Sequence, residues 1–302
     1  MRAVKQKIIW LDFISPVPQD LEYLSQTFHF HPITVEELAQ PSTRSNVEHY
    51  DDYLFLALHF PIYDASLKTS RPLEVDILIT KNHFITVRYE KLKPVDEFFD
   101  KCQRDPLVRE RCLNETTGHL LYYFLEEMLN FSMRQLDHIV KKIEQIEDKI
   151  FKGFEREMIH EISVVKRDIL DFRRIIKPYN SIFDSLANKG QSYFGKSLRI
   201  FFLDIQGDYL RVWNAVENYK ETIESLETTN SSLVETKINE VMKVLTLLAF
   251  IAIPLSVISQ ILSINTIDNF LKDYPWSFIA IILATVVLQI GLFYFFRKRK
   301  WL

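Results

Sequence analysis

Two long stretches near the C-terminal end of this chain carry no charge, and they lie almost end to end. Val244–Ile267 runs about 24 residues and Tyr274–Phe296 about 23 without an Asp, Glu, Lys or Arg. A hydrocarbon core of about 30 Å takes roughly 20 residues of helix, so each stretch predicts a membrane span. The link between them, 268–273, is short enough to make the pair a hairpin. After the second span comes the basic run Arg297-Lys298-Arg299-Lys300, whereas the link sets Asp268 and Asp273 against Lys272 alone. Basic residues favour the cytoplasmic side, which predicts both flanks inside and the link outside. Tyr274, Trp276 and Trp301 stand where aromatic interface anchors belong.

Upstream the pattern is that of a water-soluble domain. Over residues 1–100 it mixes strand and helix. Lys7–Phe13 reads as a strand stopped by Pro16 and Pro18, and Leu21–Phe28 as a helix. Thr34 followed by Glu37 reads as a capping box opening a second helix that ends before Pro41. Tyr53–Leu58, Val75–Thr80 and Phe84–Val87 read as strands, the last after a turn at Lys81-Asn82-His83. Residues 101–206 turn helical. Leu121, Phe124, Leu125, Met128 and Phe131 share a face, and Ile143, Ile146, Ile150 and Phe151 continue the style. Interleaved charges, including Glu144, Lys166, Asp168 and Arg173, predict the solvated face of an exposed helical hairpin. Pro178, Gly190 and Gly195 predict a looser connection. From near Gly207 a very long helix begins, with Trp213, Val216, Tyr219, Ile223 and Leu226 stepping at threes and fours, and no proline before Pro254. At 1.5 Å per residue, Asp208–Ser263 spans about 80 Å.

The expected architecture is therefore an α+β cytoplasmic domain followed by a long stalk helix and a two-helix transmembrane hairpin. Its parts are the α/β domain (1–100), a helical region (101–206), the stalk (207–243), the first span (244–267), the outer loop (268–273), the second span (274–296) and a basic tail (297–302).

The first span is not uniformly apolar. Asn239, Thr246 and Gln260 fall at multiples of seven, with Ile253 at the missing step, and Met242, Ala249, Ser256 and Ser263 form a second row seven apart. These are the two rows of a heptad seam. Polar groups in lipid need a partner or water. The second span has only Ser277, Thr285 and Gln289, scattered, so the first span is the one expected to face an axis. Helix–helix adhesion and a water-filled pore explain the seam equally well. One hairpin encloses no pore, so the pore reading requires several copies around an axis.

Composition narrows the remaining classes. A net charge of −3 argues against nucleic acid as a partner. Six glycines, none in a phosphate-binding pattern, argue against a nucleotide loop. Cys102 and Cys112 are too few for a disulfide framework and read as unpaired thiols of a reducing compartment. The eight histidines make no HExxH or comparable metal spacing, so neither an enzyme nor a cofactor is expected. Residues 1–10 show no signal-peptide pattern, which keeps the bulk of the chain where it is made.

Several motifs resemble one family. Asn239-Glu240-Val241-Met242-Lys243-Val244-Leu245-Thr246, the proline step Ile253-Pro254-Leu255 and the ending Lys298-Arg299-Lys300-Trp301-Leu302 are similar to the CorA family of divalent-cation channels. So are His31-Pro32-Ile33 with Glu36-Glu37, Tyr50–Leu56 and Lys81–Val87, so the resemblance covers nearly the whole chain. It implies a funnel-shaped homopentamer in the cytoplasmic membrane that admits Mg²⁺ down the membrane potential and closes when cytoplasmic Mg²⁺ binds between subunits. Co²⁺, Ni²⁺ and Zn²⁺ are the other ions it allows. Matched residue by residue, the pore-facing positions are Asn239, Met242, Leu245, Ile253, Ser256, Leu262 and Asn265. The seam adds Thr246, Gln260 and Ser263. Asp204 matches a regulatory carboxylate of the family, and an ordinary exposed carboxylate is the competing reading.

The outer mouth departs from the family. Its hallmark Gly-Met-Asn becomes Ser263-Ile264-Asn265, so only the asparagine remains. A ring of amide oxygens suits an ion that keeps its water, as Mg²⁺ does. Without the glycine the backbone loses conformational freedom there, and Gln260 stands where the family has a small residue and would narrow the lumen. Asp268 and Asp273, repeated around a ring, would gather cations at the mouth, or simply solvate the loop. Two further readings follow from the altered mouth: a zinc or transition-metal transporter of the same fold, and a non-conducting membrane-anchored sensor or scaffold. The first span holds no His or Cys to favour a softer metal.

Overall fold

The structure, a computed structural model, describes residues 1–263 and 276–298. The chain divides into two units, Met1–Thr228 and Thr229–Leu302.

Alternating apolar residues build the first unit around a six-stranded sheet. Its strands are β1 (Arg2–Lys5), β2 (Ile9–Ile14), β3 (Asn46–His49), β4 (Leu54–Asp64), β5 (Thr69–Ile79) and β6 (His83–Arg88), in the order β1-β2-β6-β5-β4-β3. Only β2 and β6 run parallel, with Trp10 opposite Phe84 and Phe13 opposite Val87. Side chains alternate between the two faces. On one face Leu11, Phe13, Phe55, Leu78, Ile85 and Val87 join Leu24, Phe30 and Leu38, delivered by α1 (Pro18–Phe28), α2 (Pro32–Glu37) and the residues around them. On the other face Trp10 meets the rings of Phe84, Phe98, Phe99 and Phe124. The last three come from α3 (Lys93–Arg104) and α5 (Thr117–Gln135), with α4 (Pro106–Leu113) between those helices. Cys102 and Cys112 are buried free thiols of α3 and α4.

A buried ionic network closes the edge of this second face. Arg88 and Asp12 are both 0% exposed. The guanidinium donates to Asp12 Oδ1 at 3.2 Å and Oδ2 at 2.9 Å, and to the Leu92 carbonyl at 3.3 Å. Arg2 donates to Asp12 at 2.7 Å and to Asp96 at 2.7 Å. Thr86 donates to Asp12 at 2.6 Å and accepts from the Trp10 indole at 3.1 Å. Because every charge has opposite-charge or hydrogen-bonding partners, the cluster fixes β1, β2, β6 and α3 without an orphaned ion.

β4 and β5 pair from Leu54↔Ile79 out to Asp64↔Thr69, well beyond the ends of β3 and β6. This projecting ribbon receives α7 (Glu155–Ile176), and α6 (Asp137–Phe151) packs on α7 and reaches the ribbon through His138 and Lys142 at Tyr63. Here the structure corrects the expectation of a solvated charged face. Asp168 is 0% exposed. Its Oδ1 accepts from the Ser70 N–H and hydroxyl, both at 2.7 Å, and its Oδ2 lies 2.6 Å from His138 Nε2. The carboxylate is there to answer the unpaired polar groups of a strand that has outrun its neighbours.

Three further expectations change. Thr34 does not cap α2. Pro32 takes the first helical position, His31 Nδ1 accepts from the Ile33 N–H at 3.3 Å, and the Thr34 hydroxyl is buried against the Tyr50 and Tyr53 phenols at 3.1 and 2.9 Å. The expected loose connection is a helix, α8 (Tyr179–Phe194), whose Tyr179 phenol donates to the His59 carbonyl at 2.6 Å. The long helix, α9 (Arg199–Ser263), begins before Gly207. Within the first unit it buries Phe202, Ile205, Tyr209, Val212, Val216, Ile223 and Leu226, at spacings of three, four and seven.

The second unit holds the rest of α9 and α10 (Ser277–Lys298). Among the described residues α9 alone is long and apolar enough to cross a membrane, and Ile282–Phe295 of α10 is a shorter apolar stretch.

Candidate functional site

From about residue 235 onward α9 stops burying its apolar side chains. Met242 is 54% exposed, Leu245 54% and Ile253 60%, and Asn239, Thr246, Ser256 and Gln260 are exposed as well. In the same stretch the partly covered positions are Leu247, Pro254 and Ile258. On α10 the covered positions are Thr285, Gln289 and Leu292. The two helices meet where Gln289 Nε2 donates to the Ile251 carbonyl at 3.0 Å. At 100° per residue, 247, 251, 254 and 258 share one side of α9, and 242, 246, 249, 253, 256 and 260 share the opposite side. The seam therefore lies away from α10 and is uncovered within one chain. An apolar and polar strip of this length needs a covering partner, which is lipid, water or further copies.

The seam hydroxyls direct their protons inward. Thr246 Oγ1 donates to the Met242 carbonyl at 2.7 Å and Ser256 Oγ to the Ile253 carbonyl at 2.8 Å. Back-bonding of this kind satisfies each hydroxyl within its own helix and leaves the oxygen lone pairs facing outward. Such oxygens offer acceptors to a hydrated cation and no proton to an anion.

Several expected site positions fall beyond these helices. Asn265, Asp268, Asp273, Arg299 and Lys300 lie outside the described residues, and Leu262 and Ser263 are described only as the last turn of α9. Arg297 and Lys298 end α10, where cations suit the negative end of the helix dipole.

Asp204 is exposed on α9 and accepts from the Tyr122 hydroxyl at 2.9 Å. It does not stand alone. Asp208 is one turn along the helix, and Glu126 on α5 feels both carboxylates. Burial first, then the charges of Asp208 and Asp204, raise the Glu126 pKa despite the opposing pull of Arg111. The i, i+4 spacing of Asp204 and Asp208 was the sequence signal for this acidic face, but nothing in the sequence placed Glu126 beside it. Among the described residues no three His, Cys, Asp or Glu side chains form a ready metal site within one chain.

A second acidic feature was not anticipated. Glu74 and Asp76 alternate on β5 and point to the same face, with His59 of β4 opposite Glu74. Asp76 is 1% exposed, and its Oδ2 accepts from the Tyr89 hydroxyl at 2.7 Å. Glu74 accepts from the Ser42 N–H at 2.6 Å and lies 3.5 Å from His59 Nε2. Burial, followed by the charge of Glu74, pushes the Asp76 carboxyl up to about 9. Burial also works against the Glu74 charge, but hydrogen bonds from His59 and Ser42 outweigh it and hold that pKa below the usual range. The pair thus holds one proton at neutral pH. Glu74 borders an open cavity of about 610 Å³ whose wall includes Ser42, Arg44, His59, Tyr89 and Arg174.

Comparison with known proteins agrees with the motifs. The family model described as CorA-like Mg²⁺ transporter protein matches residues 5–298. The cobalt/magnesium transport protein CorA of Thermotoga maritima is 24% identical over 283 residues, 93% of this chain and 80% of that protein. The zinc transport protein ZntB of Pectobacterium atrosepticum is 20% identical over 302 residues, 98% of this chain and 89% of that protein. The complete structure of the CorA magnesium transporter of Methanocaldococcus jannaschii superposes with a TM-score of 0.81 at 23% identity, covering 98% of this chain and 92% of that one. That likeness is one of fold.

Proposed function

The chain belongs to the family of CorA-like Mg²⁺ transporter proteins, and on that premise we propose that it is a gated, passive divalent-cation channel of the cytoplasmic membrane, with Mg²⁺ as its first ion. Five copies surround an axis, each giving α9 as the inner helix and α10 as the outer, lipid-facing one. Both termini lie in the cytoplasm with the first unit, and residues 268–273 lie outside. Asn239, Met242, Leu245, Thr246, Ile253, Ser256, Gln260 and Ser263 line the path, and Leu262, which the 100° step turns towards the α10 side of α9, joins them by the family match alone. Asn265 closes a ring of amide oxygens at the mouth, and Asp268 and Asp273 gather cations above it. The basic tail, Arg297 to Lys300, anchors the inner end of α10 at the lipid headgroups. Asp204 contributes to the sites at which cytoplasmic Mg²⁺ closes the channel.

The observation that carries this reading is the uncovered seam on the side of α9 opposite α10. Adhesion between α9 and α10 does not use it, so it is free to face its own copies across water. Oxygen acceptors without thiolate or imidazole favour a hard, hydrated ion. A zinc-transporting function has one supporting observation, the similarity to ZntB over 98% of this chain, but the first span offers no softer ligand.

Uptake of Mg²⁺, Co²⁺, Ni²⁺ and Zn²⁺ into proteoliposomes, measured in parallel, tests the proposal. Mg²⁺ is expected to enter and to compete with the others. Asn265→Ala is expected to change the order of preference. Unchanged preference in that variant would remove Asn265 from the filter, and uptake of Zn²⁺ alone would favour the second reading.

A further inference from the structure

Pro254 lies inside α9, and its nitrogen has no hydrogen to offer the carbonyl one turn earlier. Proline steps of this kind persist in membrane helices when neighbouring groups supply the missing donors. The carbonyl that loses its backbone donor is Phe250's, and two of the three carbonyls that follow it accept from side chains. On the α10 side, Gln289 Nε2 donates to the Ile251 carbonyl at 3.0 Å. On the seam side, Ser256 Oγ donates to the Ile253 carbonyl at 2.8 Å. The proline step is thus held from both sides, once from within α9 and once from α10.

Gln289 needs a reason to be where it is. A primary amide among Ile, Leu, Val and Phe in a lipid-facing helix is unfavourable unless both its dipole ends are answered. It is half-buried rather than exposed, on the covered side of α10 with Thr285 and Leu292. A small cavity of about 20 Å³ adjoins it, lined by Leu247, Phe250, Ile251, Leu292 and Phe293. That is room for about one water molecule. The amide is therefore a polar contact beside an apolar cavity, and the cavity leaves it freedom to shift.

We propose that Gln289 is a positioning residue for conduction: its amide clamps the Ile251 carbonyl of α9 at the Pro254 step and sets the direction of the inner helix beyond it. The inference rests on the reading of α9 as the pore-lining helix. Residues 255–263, which include Ser256 and Gln260, follow the step, so a change in its bend moves that wall of the path. Release of the clamp lets α9 adopt a second angle, and the two angles differ in pore width.

The test is a cycle of Q289L, P254A and the double variant in the full-length protein, with Q289M as a second removal of the donor. Reconstituted proteins are assayed for Mg²⁺ influx and for the internal Mg²⁺ concentration that halves it. Hydrogen exchange at residues 250–258 is followed on the same preparations. Q289L and Q289M are expected to shift the half-closing concentration about fivefold, which corresponds to about 1 kcal/mol at 1.4 kcal/mol per tenfold. They are also expected to speed exchange at 250–258, with the order of ion preference unchanged. In the P254A background, where an uninterrupted helix keeps its direction without the clamp, the same substitutions are expected to shift neither quantity. A purely structural role would lower the yield of assembled protein equally in both backgrounds and leave the half-closing concentration alone. An equal shift in both backgrounds, or none in either readout, overturns the clamp. Loss of flux in the unaltered protein would instead overturn the pore reading, and the exchange data would still decide on the clamp.

Discussion

Replacement of Asp76 by Asn tests the proton held in the sheet. The carboxyl is 1% exposed, receives the Tyr89 hydroxyl on Oδ2 and feels the charge of Glu74. In the unfolded chain an Asp side chain loses its proton near 3.9. In the folded chain it keeps it up to about 9, raised by burial and then by the Glu74 charge. Between those two values the folded state binds one proton more than the unfolded state. Stability from this group is complete below pH of about 4, falls as pH rises, and is lost once pH passes about 9. The slope is about 1.4 kcal/mol per pH unit for one proton. For a unit of this size that corresponds to roughly 3–5 °C in melting temperature per pH unit. Asn keeps an acceptor for Tyr89 and can donate to Glu74 without titrating. D76N should therefore lack this slope and melt above the unaltered protein at pH 8. Thermal unfolding of the full chain in detergent between pH 6 and 9 measures it, with Trp10, 0% exposed, as the fluorescent reporter. Parallel profiles for the two proteins, or a lower melting point for D76N at pH 8, would refute the shared proton.

Other outcomes follow from the same physics. R88M leaves the buried Asp12 carboxylate without its bidentate partner and should destabilise the first unit by about 3–5 kcal/mol, read as a lower melting temperature at every pH between 6 and 9. D204N should raise the Mg²⁺ concentration needed to close the channel while leaving influx at low internal Mg²⁺ unchanged; titration of influx against internal Mg²⁺ reads both.

The sequence was most legible where periodicity and burial agree. Val216, Ile223 and Leu226 are spaced for one face of a helix, and all three are buried on α9. Tyr53–Leu58 and Val75–Thr80 showed the apolar middle of β4 and β5 but not their ends, because the projecting ribbon carries polar residues such as Thr69 and Ser70 that only α7 satisfies. β1 and β3, four residues each, were too short for alternation to register. α8 was hidden by Pro178, which precedes it and does not interrupt it, and by Gly190, which packs near the Phe194 and Phe202 rings. Charged residues misled most. Asp168 read as solvated and is buried, because its partners Ser70 and His138 are distant in sequence. Glu74 and Asp76 carried no sequence signal of their pairing, because it depends on His59, Ser42 and Tyr89, which only the fold brings together. Gln289 looked like scattered polarity until its acceptor on α9 was known.

Passive conduction of a divalent ion is read most directly from Mg²⁺ influx into proteoliposomes under an imposed potassium diffusion potential. A divalent ion gains about twice the roughly 2.3 kcal/mol that a single charge gains across 100 mV. Influx is predicted to rise with inside-negative potential, to need no nucleotide or proton gradient, and to cease when internal Mg²⁺ is high. Influx of no divalent ion at any potential, or influx that follows an imposed proton gradient and ignores the voltage, would rule out passive conduction.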